Sequence, residues 1–153
     1  MWCHLKPEFT PMVDTRTAPY GLFILRLALG IMWLSHGLMK IFVFTVPGFA
    51  GFLSSKMGVP GALAIPFIAV EIVGGLLLIG GVYARQVAIL LIPMMLGALS
   101  YHLPNGWVFS APGGGWEYPA FLVVGQIVLA LAGEGAFAVK PAALIPGRRT
   151  AIA

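Results

Sequence analysis

Four runs of apolar residues, each about as long as a membrane is thick, constrain this chain more than any other feature. They cover residues 20–42, 62–82, 86–103 and 118–137. A helix rises about 1.5 Å per residue, so about 20 apolar residues cross a hydrocarbon core of about 30 Å. Charged residues make up only 9% of the chain, too few to cover a soluble domain. The sequence therefore predicts an all-α integral membrane protein, a bundle of four transmembrane helices.

The basic residues outside the spans predict the orientation of the bundle. Four spans place both termini and the junction between spans two and three on one side of the membrane. Most of the Lys and Arg residues fall on that side: Lys6, Arg16, Arg85, Lys140, Arg148 and Arg149. The positive-inside rule then predicts that segments 1–19 and 139–153 are cytoplasmic. No run of Lys or Arg resembles a nucleic-acid footprint, and the lone Cys3 excludes an intramolecular disulfide.

Ionisable side chains within the spans are the candidate site residues. A charge at mid-bilayer costs at least about 2.5 kcal/mol, so each needs a partner, a proton or water. There are six such candidates, at or inside the ends of the spans: Arg26, His36, Lys40, Glu71, His102 and Glu117. Counting from span centres places Glu71 near mid-bilayer and Arg26 deeper still. The other four form a predicted outward-opening cluster above Glu71.

Helix phase predicts which side of span one faces the bundle. Side chains seven apart nearly align on a helix, because each residue turns about 100°. Five residues share one face in this way: Arg26, Gly30, Trp33, Gly37 and Lys40. Glycines allow close helix approach in membranes, so we expect this face to point inward. Residues such as Ile24, Leu27 and Ile31 are then expected to face the lipid.

Each candidate residue has a structural and a functional interpretation. We expect Glu71 to pair with Arg26 or His36 ahead of Lys40, and an Arg26–Glu71 pair would fix helix register. Lys40 would snorkel to the interface, and Glu117 would favour the positive end of span four. In the functional interpretation, His36 and Glu71 are catalytic. The remaining four would bind the substrate: Arg26, Lys40, His102 and Glu117.

Two histidines at similar depth raise the question of a haem or a metal. His36 and His102 lie on different helices and could ligate either. The sequence has no Cys cluster, HExxH, Walker loop or dinucleotide fingerprint to support a cofactor. We therefore expect no metal site and no haem.

Several motifs resemble those of the DoxX family of small membrane proteins. They are RLALGIMWLSHGLMK in span one, EIVGGLLLIGGVYAR closing span two, and His102 before Asn-Gly-Trp. The motifs GGGWEYP and Gly-Glu-Gly bound span four, so the resemblance covers about residues 25–137. It implies a four-helix bundle over residues 20–138 in the bacterial inner membrane. It also implies a redox association, since relatives include subunits linked to thiosulfate:quinone oxidoreduction and to oxidative and thiol stress.

Three functional hypotheses follow. The first is a membrane subunit of a redox system that binds a quinone or related molecule in the outer half of the bundle. The second is a non-catalytic scaffold or assembly subunit, and the third a small transporter. The expected environment is the lipid bilayer. The sequence leaves open whether the chain has redox partner proteins and whether it forms a homo-oligomer. Whether the chain is itself an enzyme also stays open, as does any cofactor other than a quinone.

Overall fold

The fold is all-α, as predicted. The computed structural model describes residues 13–139, and all regular secondary structure among them is helical. Five α-helices follow in order: α1 (Ala18–Phe42), α2 (Val46–Lys56), α3 (Ala64–Gly80), α4 (Ala84–His102) and α5 (Glu117–Ala132). Two 3₁₀ turns, Gly61–Leu63 and Leu103–Asn105, precede α3 and follow α4.

Three segments are long and apolar enough to cross a membrane. They are Ala18–Phe42, Gly61–Gly80 and Ala84–Asn105. The fourth predicted span is shorter than expected, because α5 has 16 residues and so a length of about 24 Å. It ends at Gly133, whose φ of 103° lies in a region that only glycine adopts readily. The chain is a multi-pass membrane protein with one short apolar helix in its bundle.

The connector between α1 and α3 contains a further helix, α2. Helix α2 has 11 residues, and its first turn is capped by Thr45, whose Oγ1 accepts a hydrogen bond from the Gly48 amide at 3.3 Å. Its Phe49 and Leu53 are buried in a small apolar cluster with α3.

We call the end of the bundle with segments 43–60 and 103–116 the loop end. The opposite end, with the 81–83 turn, is the junction end.

Glycines bring α1 and α3 into close contact. A Cβ atom on Gly75 would lie 2.8 Å from the Gly30 carbonyl oxygen and 2.7 Å from the Leu34 amide nitrogen. Because these atoms belong to the backbone, they cannot move aside, and only hydrogen fits at Gly75. The predicted inward face of α1 is confirmed: Arg26, Gly30, Trp33 and Gly37 are buried. Ile24 and Ile31 are exposed, on the side predicted to face lipid.

Candidate functional site

Lys40 and Glu71 form a buried ion pair between α1 and α3. The Lys40 Nζ lies 2.7 Å from Glu71 Oε1 and 2.6 Å from Oε2, with the side chains 15% and 7% exposed. Gly37, one turn before Lys40, packs so close that an added Cβ would lie 3.2 Å from the Glu71 Cβ. Phe49 of α2 places its ring 5.0 Å from Nζ. The close contact of α1 with α3 thus puts the cation beside the carboxylate, and α2 covers the pair.

The expectation that Arg26 or His36 would pair with Glu71 ahead of Lys40 is wrong. Arg26 lies at the junction end, fully buried, and donates to three backbone carbonyls. Its Nη1 donates to Leu78 at 2.8 Å and Ile79 at 2.9 Å, and its Nη2 to Ala136 at 3.0 Å. These carbonyls belong to the last turn of α3 and the segment after α5. Arg26 therefore ties three parts of the chain together and does not line the cavity described below.

Hydrogen bonds set the tautomers of both candidate histidines. His36 Nδ1 lies 2.9 Å from the Met32 carbonyl oxygen, and His102 Nδ1 lies 2.9 Å from that of Gly114. A carbonyl oxygen can only accept, so Nδ1 carries the hydrogen in each ring. The Nε2 of each neutral ring is then a hydrogen-bond acceptor and a base. His36 also stacks on Tyr118, with ring centroids 6.2 Å apart.

The triglycine loop holds His102 in position. Gly113 and Gly114 have φ values of 83° and 78°, so the turn needs glycine. The Asn105 side chain donates to both of their carbonyl oxygens at 3.0 Å. The Gly114 carbonyl also accepts from His102, so Asn105 and the histidine share one acceptor. The loop that carries the first glycines of the GGGWEYP motif therefore orients a candidate site residue.

One cavity of about 120 Å³ near the loop end gathers most of the predicted site. Four predicted residues line it, together with polar and apolar side chains from α1, α4 and α5. The lining residues are Met32, Trp33, His36, Lys40, Glu71, Met94, Met95, Ala98, His102, Tyr118, Pro119 and Leu122. Its volume suits several water molecules or a small ring. It is the place in the described chain where histidines and an ion pair meet.

Glu117 does not join this cluster, contrary to the prediction. Its Oε1 accepts a hydrogen bond from the Phe109 amide at 2.8 Å, so the carboxylate closes the 103–116 loop. Because α5 begins at Glu117, the next residue, Tyr118, is the one turned toward the cavity. Sequence reasoning missed Tyr118 as a site residue.

Trp33 was also missed as a site residue, although helix phase placed it on the inward face. It lines the cavity and is 2% exposed. Its Nε1–H has no hydrogen-bond partner among residues 13–139. A buried donor of this kind is normally satisfied, so it offers a hydrogen bond to whatever occupies the cavity. Within the same residues, no three His, Cys, Asp or Glu side chains are grouped to hold a metal ion.

The fold and site define a helical membrane protein with a cavity between its helices that ionisable side chains line. Comparison with known proteins places it in a family. The DoxX family model matches residues 21–110. The chain is 30% identical over 124 residues to "Putative oxidoreductase CatD" of Bacillus subtilis (strain 168), covering 79% of this chain and 85% of that protein. No solved structure matches it significantly. The chain belongs to the DoxX family.

Proposed function

We propose that this protein is a membrane subunit of a redox system and that its cavity binds the head group of a quinone. The observation that carries the proposal is the convergence of two histidines, an ion pair and a tyrosine on one cavity inside a membrane bundle. Buried ionisable groups in membrane spans are costly and commonly mark substrate or proton pathways. The name of the Bacillus relative, "Putative oxidoreductase CatD", supports the same direction.

The groups present match what quinone chemistry requires. A quinone that accepts two electrons from a reduced partner protein also takes up two protons, and two C–O–H groups form. His36 and His102 each present an Nε2, which when protonated donates to a quinone oxygen and when neutral accepts from a quinol O–H. Lys40 uses two of its three N–H groups on Glu71, which leaves one for the ligand. Glu71 then exchanges protons with the site through Lys40.

The scaffold alternative also has a specific observation in its favour. Both oxygens of Glu71 accept from Lys40, so each member of the pair has its charge partner without any ligand. If the cluster only holds α1 and α3 together, replacing His36 or Glu71 lowers the amount of folded protein and any activity in parallel. If it binds a quinone, His36→Phe weakens binding while the protein accumulates normally.

Binding is tested by equilibrium dialysis of the protein in lipid nanodiscs against 2,3-dimethoxy-5-methyl-1,4-benzoquinone, which is soluble in water. The protein carries Cys3→Ser, because thiols add to quinones. We expect saturable binding at one site. His36→Phe and His102→Phe each remove one hydrogen bond and weaken binding about five- to tenfold.

Glu117→Gln is the matched control, because this carboxylate lies outside the cavity. It is expected to bind like the parent protein. Absence of saturable binding by the parent protein overturns the proposal, as do folded His36 and His102 variants that bind normally.

We further propose that the protein lies in the bacterial inner membrane with its loop end facing outward. The argument is the excess of basic residues at the junction end, including Arg16 and Arg85. In a Cys3→Ser background, Lys56→Cys marks the loop end and Arg85→Cys the junction end. A membrane-impermeant maleimide applied to intact cells should label the former and spare the latter. The reverse pattern refutes this orientation.

A further inference from the structure

An apolar groove lies on the outer face of α5, beside the loop that precedes it. Its volume is about 480 Å³, and six residues line it: Trp107, Glu117, Tyr118, Ala120, Phe121 and Val124. Phe121 is 70% and Val124 56% exposed, so this face is open to the bilayer within the part of the chain that the structure describes. The carboxylate of Glu117 is turned to the Phe109 amide. The groove therefore presents a carbon surface to lipid.

Tyr118 connects this groove to the polar cavity. It lines both, and its ring stacks on His36 with only 23° between the ring planes. With 44% of its surface exposed, the side chain forms a thin partition between the cavity and the lipid-facing groove. Exposed side chains change rotamer in picoseconds to nanoseconds, so this partition can open. One ligand can then lie in both places at once.

We propose that the ligand of this site is a long-chain quinone that enters sideways from the bilayer past Tyr118. The head occupies the cavity at His36, and the apolar chain leaves through the groove along Ala120 and Val124. This inference rests on the proposed function and adds the class of ligand and its route. It follows from the shared lining residue, because a head group held at His36 has a carbon-lined exit directly beside it.

The groove provides the path by which the ligand enters and selects ligands that carry a chain, and it adds little to the binding affinity. A chain already dissolved in lipid gains little from an apolar protein surface, because lipid tails are equally apolar. Partition into the membrane concentrates the chain-bearing ligand at this depth. Filling the groove should therefore exclude ligands with a chain and leave ligands without one nearly unaffected.

The test uses two quinones with the same head and three proteins. The tail-less quinone is the dialysis ligand above, and the second is its decyl homologue. The proteins are the Cys3→Ser parent, Ala120→Trp, which fills the groove, and Leu131→Trp. Leu131 is 77% exposed on the same helix and does not line the groove, so it controls for a bulky residue facing lipid. Comparing proteins with one ligand at a time cancels the membrane partition of that ligand.

We expect Ala120→Trp to weaken decylquinone binding at least about tenfold and tail-less quinone binding less than about threefold. Leu131→Trp should bind both ligands like the parent. If Ala120→Trp binds both like the parent, the groove is merely covered by membrane lipid, and the inference is overturned. Equal loss of both ligands by folded Ala120→Trp also overturns it. A parent that binds the tail-less quinone but not the decyl homologue refutes the lateral route alone, whereas a parent that binds neither refutes the proposed function.

Discussion

Replacing Lys40 by Met removes the only side chain that hydrogen-bonds the Glu71 carboxylate in the described structure. Both carboxylate oxygens accept from Lys40, and the Glu71 side chain is 7% exposed. The substitution keeps most of the apolar stem of the lysine. It also removes the cation that lies 5.0 Å from the Phe49 ring centroid, an interaction that contributes less than the ion pair. The effect on stability is therefore chiefly that of a carboxylate without a partner.

The expected loss of unfolding free energy depends on whether the Glu71 carboxylate stays charged without a partner or takes up a proton. Removing one partner of a buried ion pair costs about 3–5 kcal/mol when the other remains charged. Taking up a proton limits the cost. For a carboxylic acid with an ordinary pKa of about 4.3, protonation costs about 3.7 kcal/mol at pH 7 and about 1 kcal/mol at pH 5. We expect Lys40→Met to lower the free energy of unfolding by about 3 kcal/mol at pH 7 and by about 1 kcal/mol at pH 5.

Unfolding in mixed micelles at several pH values measures this effect. A double-mutant cycle with Glu71→Gln isolates the pair, and Lys40→Met/Glu71→Gln should recover about 2 kcal/mol at pH 7 relative to Lys40→Met alone. Lys56→Met is the control, because Lys56 is exposed on α2, and we expect a change within about 0.5 kcal/mol. A loss that does not depend on pH, or a coupling energy near zero, would refute the account of this ion pair.

Three further substitutions, one of them with a matched control, test the packing and the other buried polar groups by the same unfolding measurement. Gly75→Ala forces α1 and α3 apart and should cost about 1–3 kcal/mol, whereas Gly97→Ala in α4, where nothing lies within 4 Å, should be neutral or stabilising; equal effects would contradict the close contact. Arg26→Met removes three hydrogen bonds to backbone carbonyls, of which that of Leu78 keeps the Gly81 amide as a second donor. It should cost about 3 kcal/mol, and a neutral result would show that Arg26 is not a cross-link. Gln126 is fully buried with no partner for its amide among residues 13–139, so Gln126→Leu should be neutral or stabilising by about 1 kcal/mol; a loss would reveal a bound water or ligand.

The inward face of α1 was predictable because polar and small residues recur on it at helical spacing. Arg26, Gly30 and Gly37 are all buried, as their spacing indicates. A similar pattern exists in α3, where Glu71, Gly74, Gly75 and Leu78 are buried at spacings of three and four. The buried faces of both helices can therefore be predicted from the spacing of their polar and small residues.

The partner of Glu71 was not predictable in the same way. Which residue of α1 meets Glu71 depends on how far the two helices slide along each other. That offset is set by backbone contacts such as Gly30 against Gly75 and by Gly37 against Ile72. No count from the centre of a span measures it, and a shift of about one turn exchanges His36 for Lys40 as the residue opposite Glu71.

Which residue of α5 contacts the cavity could not be predicted, because neighbouring residues point in different directions around the helix. The helix begins at Glu117, one residue before the predicted start, and each residue turns the helix by about 100°. Glu117 therefore bonds the loop, while Tyr118 meets His36. The role of Arg26 was hidden for another reason: its acceptors are backbone carbonyls, which leave no signal in the sequence.

The central claim, that the cavity binds a quinone head, is tested most directly by photo-crosslinking. An azido-quinone is activated by light on the protein in lipid nanodiscs, and the modified residues are mapped by mass spectrometry. We predict labelling of cavity residues such as Met32, Met94 and Met95, and its suppression by excess unlabelled quinone. Labelling confined to exposed lipid-facing residues such as Ile24 and Val73, without competition, would contradict the account.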